Sequence, residues 1–261
     1  MAPAGIAVII GAGPNTGAGI ARILAHPEHG NLAVALLARS QESLDRVASS
    51  VHSSSTSTSP NAPITVETFA TDTSPASLSK TFAAIRTHPS FKSLKLKIAV
   101  YSIKHSSKKP FLSETHEAFT QSLETYVGGA MAFAQESLRL LFEHHGGETS
   151  LTETGGRKKG TVIFTGTLGA LRANAEFGAY GAGRSGVRML AQSLAKEYSG
   201  KGVHVVHTIA NGRIEDKDGE EQKIGKNMSA DAVGKTYLWL ANQGPELWTH
   251  ELDMRPAQEK F

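Results

Sequence analysis

Short apolar runs alternate with segments of helical pattern along the whole chain, and this alternation limits the possible fold more than any other feature. Most of the runs are nearly continuous in Val, Ile and Leu, as are strands that are buried on both faces of a parallel sheet. The runs lie at 6–10, 32–38, 64–70, 96–102, 161–166 and 203–210. The helical segments lie at 17–27, 40–52, 75–88, 114–145, 177–199 and 229–242. The pattern predicts an α/β protein in which one doubly wound parallel sheet carries helices on both faces.

Three polar connections interrupt the pattern, and we expect mobile loops there. They lie at 49–63, which is rich in Ser, Thr and Pro, at 144–160, and at the charged segment 213–227. The charged segment follows the carboxyl end of a strand, where ligands bind in open α/β sheets, so it is a candidate lid. The C-terminal sequence HELDMRPAQEKF predicts a final strand and an extended tail.

Composition narrows the class of protein. The chain has 261 residues and no cysteine, which excludes disulfides, thiol catalysis and cysteine-ligated metals. Its apolar start is short and continues into a glycine turn, so it predicts a first strand rather than a signal peptide, and a cytoplasmic protein. The net charge is +3 and its basic residues are dispersed, so we expect neither nucleic acid nor a membrane as partner. His204 and His207 would point to opposite faces of a strand, and we predict no metal site.

Glycines cluster directly after the first apolar run, in IIGAGPNTGAGI. A strand, a glycine turn and a helix together place backbone N–H groups and a helix N-terminus where they can bind a pyrophosphate. Thr16 stands where a G-x-G-x-x-G motif needs its last glycine; the spacing here is Gly13-x-x-x-Gly17-x-Gly19. This spacing resembles that of the short-chain dehydrogenase/reductase family. The resemblance implies one NADP(H)-binding Rossmann-type domain over residues 1–261 and identifies the chain as a divergent member.

The end of the second strand indicates which cofactor is used. An NAD site needs an acidic residue there to hold the ribose hydroxyls, but this strand ends in LLARS, with Ala38 at the acidic position. Arg39 and Ser40 follow, and a guanidinium beside a hydroxyl suits a phosphate. NADP(H) is therefore favoured over NAD(H). The resemblance implies a wider set of cofactor-binding residues: Gly11, Gly13, Asn15, Thr16, Ala18, Gly19, Arg39, Ser40, Asp72, Thr73, Ser102, Ile103, Tyr180, Arg184, Gly212 and Ile214.

The segment FGAYGAGRSGVRMLAQSLAKEY, at 177–198, resembles the catalytic helix of the same family. Tyr180 matches the tyrosine that donates a proton to the substrate carbonyl. Arg184 stands where the family has the lysine that holds the nicotinamide ribose and makes the tyrosine more acidic. Thr167, thirteen residues before Tyr180, replaces the serine that orients the substrate oxygen. Tyr126 falls at the position of the asparagine that anchors a proton-relay water.

Further departures surround these catalytic positions. Tyr101, Ser102, Ile103 and Lys104 replace the family's Asn-Asn-Ala-Gly after the fourth strand. Asn211-Gly212 replaces Pro-Gly after the sixth strand, Ile214 keeps the position whose backbone meets the carboxamide, and Asp216 replaces threonine. Bulkier residues beside the cofactor and an altered tetrad leave the use of hydride transfer open.

Three functions follow from the resemblance. The first is an oxidoreductase that reduces a ketone, imine or iminium of a small organic substrate, such as a secondary metabolite, with NADPH. The second is a non-redox or bifunctional enzyme, an isomerase or cyclase that holds NADP(H) as a bound element. The third is a non-catalytic NADP(H)-binding protein. The family also implies a homodimer or homotetramer formed through the helices at 114–145 and 177–199, where Gly181, Gly183 and Gly186 would allow close helix approach.

Overall fold

One parallel sheet organises the chain. The computed structural model describes residues 2–58, 64–105 and 107–260. The sheet has seven strands in the order β3-β2-β1-β4-β5-β6-β9, and every neighbouring pair is parallel. The strands are β1 Ile6–Ile10, β2 Ala33–Ala38, β3 Val66–Ala70, β4 Leu96–Tyr101, β5 Gly160–Gly166, β6 Val203–Ala210 and β9 Glu251–Met254. The predicted doubly wound sheet is confirmed, and so is the predicted final strand.

Helices cover both faces of this sheet. They are α1 Thr16–Ala25, α2 Gln41–Thr58, α3 Pro75–Thr87, α4 His116–Leu123, α5 Gly129–His144, α6 Gly178–Tyr198, α7 Glu220–Lys223 and α8 Ala230–Asn242. One core lies under α3, α5 and α6, and the other lies under α1, α2 and α8. Strand β1 serves both cores, because Val8 faces the first and Ile9 the second. No helix among the described residues combines the length and apolar character needed to cross a bilayer.

Two helical predictions need correction. Helix α2 continues to Thr58, so most of the connection at 49–63 is helical, and residues 59–63 lie outside the described residues. The single helix expected over 114–145 is divided by a π-helical turn, Glu124–Gly128, between α4 and α5. A π turn adds one residue per turn and is often found at functional sites. A short 3₁₀ helix, Phe111–Ser113, precedes α4.

The charged segment at 213–227 is folded and fastened to α1. It contains β7 Ile214–Glu215 and α7, and β7 pairs with β8 Met228–Ser229. The Asn15 side-chain amide donates to the Ile214 carbonyl at 2.9 Å. Arg22 of α1 forms ion pairs of 2.7 Å with both Asp216 and Asp231.

The C-terminal tail packs against this charged segment. The Gln258 N–H donates to the Gly225 carbonyl at 2.8 Å, and the Asn211 amide donates to Glu259 at 2.7 Å. The tail was predicted to be extended, but it contains a turn in which the Glu259 N–H donates to the Pro256 carbonyl at 3.0 Å. This turn brings Gln258 and Glu259 to the residues that follow β6.

The glycines of α6 allow close packing within the chain. A Cβ added at Gly181, Gly183 or Gly186 would have its nearest neighbour in Ala173, Tyr126 or Val127, respectively. These glycines let α6 approach the π-helical turn and the loop before α6.

His204 of β6 is fully buried and stacks on Trp248, with ring centroids 5.1 Å apart. Its Nε2 donates to the Thr249 carbonyl at 2.8 Å, and its Nδ1 lies 3.5 Å from Lys158 Nζ. Burial, together with the charge of Lys158, lowers the pKa of His204 to about 4, although the bond to Thr249 opposes the shift. Among the described residues, no three His, Cys, Asp or Glu side chains are grouped as metal ligands.

The pKa of His204 predicts a pH dependence of stability. Below pH 6.5 the His204 ring of the unfolded chain gains a proton, whereas the native ring accepts one only near pH 4. The free energy of unfolding therefore decreases as the pH is lowered from 6.5 to about 4. His204→Gln should make the slope of unfolding free energy against pH shallower by about 1.4 kcal/mol per pH unit, the value for one proton. Urea unfolding at several pH values measures the slope. His116→Gln, an exposed position, is the control, and an unchanged slope in His204→Gln would contradict the prediction.

Candidate active site

A cleft of about 890 Å³ opens at the carboxyl ends of β1 to β4. Ligands bind at this edge of an open parallel sheet because the strand order reverses there. Here the order reverses between β1 and β4, because β2 and β3 follow on one side of β1 and β4, β5 and β6 follow on its other side. Seven of the predicted cofactor residues line the cleft: Gly11, Gly13, Arg39, Ser40, Asp72, Thr73 and Ile103.

The glycines of the first turn have different roles. A Cβ at Gly11 would collide with the Ser102 backbone, and one at Gly17 would lie 2.7 Å from the Ala12 Cα. A Cβ at Gly13 would meet only the Gly11 carbonyl, at 3.9 Å. Packing within the chain therefore explains why Gly11 and Gly17 lack a side chain but does not explain Gly13. The close approach of a ligand from the cleft does explain it.

Two predicted cofactor residues are buried in helix packing. Ala18 and Gly19 lie on α1, and a Cβ at Gly19 would collide with the Ala230 backbone at the start of α8. Neither residue lines the cleft. The structure places Gly19 where α1 and α8 cross.

The N-terminus of α1 has no side-chain cap, and the Asn15 amide nitrogen donates to the Ile214 carbonyl. The Ala18 N–H donates to the Gly13 carbonyl at 3.0 Å, so the uncapped N–H groups are those of Thr16 and Gly17. Uncapped N–H groups at the first turn of a helix are an anion site. Thr16, the first residue of α1, lies at this end, whereas Gly212 packs against Pro256 of the tail. Ser102 supports the turn through its backbone, since its N–H donates to the Ile10 carbonyl at 2.9 Å.

The far end of the cleft carries basic and hydroxyl groups. Arg39 and Ser40 are exposed there, and Lys104 joins them in the lining. Asp72 lies opposite, and its Oδ1 accepts from the Ser74 hydroxyl at 2.7 Å and from the Ser74 N–H at 2.9 Å. These bonds hold the pKa of Asp72 below its usual value, so its carboxylate is charged.

Tyr180 and Thr167 share a hydrogen bond of 2.6 Å between their hydroxyl oxygens. Thr167 follows β5, and Tyr180 lies in the first turn of α6. The tight turn between them requires Gly169, because a Cβ there would collide with the Tyr180 ring. The structure thus brings together the tyrosine and the hydroxyl residue that the family resemblance paired.

Arg184, Tyr180 and Thr167 are not among the residues that line the cleft. Arg184 is 3% exposed, and its guanidinium carbon lies 3.7 Å from the ring centroid of Tyr126 and 4.3 Å from that of Tyr180. Nη1 donates to the His105 carbonyl at 3.1 Å, and Nε is buried with no partner among the described residues. We call Tyr126, Arg184 and Tyr180 the cation–aromatic stack. The sequence predicts that Arg184 holds a ribose. In the structure its guanidinium lies between the rings of the cation–aromatic stack.

Tyr126 is buried on the π-helical turn and supports the stack. Its hydroxyl donates to the Thr165 carbonyl at 3.4 Å, and the Tyr101 hydroxyl donates to the Tyr126 carbonyl at 2.9 Å. Burial raises the pKa of Tyr126 to about 12, although the nearby charge of Arg184 opposes this shift. Tyr126 therefore stays protonated at neutral pH and offers the guanidinium an aromatic face.

Sequence reasoning missed two residues of the segment between β4 and α4. His105 provides the carbonyl that Arg184 contacts. Lys108 Nζ lies 4.4 Å from the ring centroid of Phe177 and 4.8 Å from that of Tyr180. The available signal was the run of basic residues in IKHSSKKP, directly after the strand that leads to the site.

A parallel α/β sheet with a glycine turn and an uncapped helix after its first strand defines a nucleotide-binding protein. The second element of the site is a tyrosine hydrogen-bonded to a hydroxyl residue after the fifth strand. This pair is what the resemblance to short-chain dehydrogenases predicts. The family model for short chain dehydrogenases matches residues 5–222. The chain belongs to this family of NAD(P)-binding oxidoreductases.

Solved structures with the same fold extend over nearly the whole chain. A short-chain dehydrogenase from Rhodopseudomonas palustris is 24% identical, with 96% of this chain and 98% of that one covered and a TM-score of 0.73. An alcohol dehydrogenase from Thermococcus sibiricus, complexed with 5-hydroxy-NADP, is 18% identical, with 98% of both chains covered and a TM-score of 0.73. A metagenomic short-chain oxidoreductase in complex with NADP is 17% identical, with 98% and 99% covered and a TM-score of 0.74. No curated protein sequence matches the chain.

The cation–aromatic stack predicts an energetic coupling between Tyr126 and Arg184. A desolvated guanidinium over an aromatic ring contributes about 2 kcal/mol. The double-mutant cycle of Tyr126→Leu and Arg184→Met should therefore give a coupling of about 1–2 kcal/mol in the free energy of unfolding by urea. Arg188, one turn along α6, bonds to Glu251 instead, so Tyr126→Leu and Arg188→Met should be additive. Additivity in the first pair would contradict the prediction.

Proposed function

We propose that the protein is an NADPH-dependent reductase that transfers hydride to a ketone, imine or iminium of a small organic substrate. Tyr180 acts as the proton donor, and Thr167 orients the reacting oxygen. The observation that carries the proposal is the hydrogen bond of 2.6 Å between these two hydroxyl groups, at the catalytic position of an oxidoreductase family.

The residues at the cleft fit a dinucleotide phosphate. Gly13 leaves room for a pyrophosphate, and the uncapped first turn of α1 offers N–H groups to it. Arg39 and Ser40 at the far end suit a ribose 2′-phosphate, and Ala38 removes the carboxylate that would favour NAD. The NADP complexes of two similar structures support the same choice. Bound NADPH supplies the hydride.

Tyr180 would donate its hydroxyl proton to the carbonyl oxygen as negative charge develops there. The Thr167 hydroxyl, which lies 2.6 Å from the Tyr180 oxygen, has one proton and can donate it to the substrate oxygen instead, which stabilises that charge. Loss of the proton leaves negative charge on the Tyr180 oxygen. Arg184 at 4.3 Å and Lys108 at 4.8 Å from the ring centroid stabilise this charge.

A non-redox or bifunctional isomerase or cyclase is the second candidate. The burial of Arg184 favours it, because a guanidinium that is buried against Tyr126 is less free to hold a ribose than the family's lysine is. NADPH binding without NADPH consumption, across panels of ketones and cyclic imines, would support this candidate or a non-catalytic binding protein over the reductase.

Arg39 predicts the cofactor preference. Arg39→Ala should raise the Kd for NADPH about tenfold or more, since it removes a charge-assisted contact to a phosphate, and should leave the Kd for NADH nearly unchanged. Enhancement of dihydronicotinamide fluorescence on binding measures both constants. Arg46→Ala, on the exposed face of α2 and outside the cleft lining, is the control. Wild-type protein that binds NADH and not NADPH would overturn the assignment.

Tyr180 predicts the proton requirement. Tyr180→Phe should reduce turnover of ketones by about 10²-fold or more, because no acid then protonates the oxygen, while the Kd for NADPH is retained. Reduction of an iminium, which already carries the positive charge, should be less affected. The rate of NADPH oxidation measures turnover. Thr167→Ser, which keeps the hydroxyl, should retain activity. Unchanged ketone reduction in Tyr180→Phe would remove Tyr180 from the acid role.

A further inference from the structure

The segment between β4 and α4 places an exposed ammonium group beside the proposed acid. Lys108 Nζ lies 4.8 Å from the Tyr180 ring centroid and 4.4 Å from that of Phe177. No carboxylate of the described residues forms an ion pair with Lys108 within 4 Å. The next residue differs, since Lys109 Nζ lies 3.7 Å from a Glu114 carboxylate oxygen. Aromatic faces hold the Lys108 ammonium here, so an incoming anion breaks no ion pair to reach it.

The backbone around Lys108 is fastened on both sides. The Ser107 N–H donates to the Ser122 hydroxyl at 3.1 Å, and the Lys109 N–H donates to the Glu176 carbonyl at 2.9 Å. The His105 carbonyl accepts from Arg184 at 3.1 Å. Lys108 is thus attached to elements that carry the proposed acid itself. A charge placed on a held segment loses little freedom when it binds a ligand.

Two cations lie against the Tyr180 ring. The Arg184 guanidinium carbon lies 4.3 Å from the ring centroid, and Lys108 Nζ lies 4.8 Å from it. Glu176 is the nearby carboxylate in sequence, and it pairs with none of these cations within 4 Å. Such a site attracts negative charge and repels positive charge.

We propose that the substrate is a keto acid, a carbonyl compound whose carboxylate is bound by Lys108 while its carbonyl oxygen meets Tyr180. This inference rests on the proposed reductase function and names its substrate class. The inference also favours a ketone over an iminium as the hydride acceptor. A cationic iminium would be repelled by Lys108 and Arg184, whereas a neutral carbonyl with an anionic neighbour is attracted by both.

Matched substrates and matched variants test the proposal. Benzoylformate and its methyl ester share the reducible carbonyl and differ in the negative charge. Lys108→Met should raise the KM for benzoylformate about tenfold, the loss of one charge-assisted hydrogen bond, and should leave the KM for the ester unchanged. Lys108→Arg should keep the low KM, and Lys109→Met, which removes a cation already paired with Glu114, should behave as wild type. An equal rise in the KM for acid and ester in Lys108→Met would overturn the proposal, whereas an equal fall in kcat reflects only the contact of Lys108 with Tyr180.

A binding measurement separates this inference from the proposed function. Calorimetry with benzoate and benzamide, on protein preincubated with NADP, needs no turnover. Benzoate should bind to wild type and to Lys109→Met and should lose affinity about tenfold in Lys108→Met, while benzamide should distinguish none of them. Benzoate binding without reduction of any carbonyl compound would refute the reductase and keep the anion site. Reduction of neutral ketones without benzoate binding would refute the anion site and keep the reductase.

Discussion

The site depends on a buried guanidinium that has aromatic rings in place of a carboxylate. Taking a charge out of water is costly unless it is compensated, and Arg184 has one hydrogen bond, to His105, and two ring faces. A planar guanidinium stacks on rings better than a compact ammonium does. The guanidinium thus connects Tyr126 on the π-helical turn to Tyr180 on α6.

Most of the fold could be predicted because strands buried on both faces leave a continuous apolar signal that polar helices and turns interrupt. The helical continuation to Thr58 was missed, since Ser and Thr are weak helix formers and predict a loop on their own. The π-helical turn at Glu124–Gly128 was also missed. One extra residue in a turn hardly disturbs an apolar pattern of period 3.6, and tertiary contacts of Tyr126 decide its position.

The candidate site was predictable where sequence neighbours stay neighbours in space. Tyr180 and Thr167 lie thirteen residues apart in sequence, and the segment that joins β5 to α6 brings their hydroxyl groups together. Arg184 was singled out from its spacing to Tyr180, but its surroundings come from Tyr126 on a different helix, which no spacing along α6 reveals. Lys108 lies in a non-periodic segment whose path is set by bonds to Ser122 and Glu176, so its neighbours could be found only from the structure.

The bond between Asn15 and the Ile214 carbonyl joins the start of α1 to the charged segment at 213–227. An asparagine at the N-cap of a helix ordinarily satisfies that helix's own N–H groups with its side-chain oxygen. Here the amide nitrogen of Asn15 is used, in the bond to Ile214, and α1 has no side-chain cap. A shift of the charged segment therefore acts directly on the side chain at the start of α1. If docking of the segment strengthens anion binding at α1, the anion strengthens docking to the same extent, because such linkage is reciprocal.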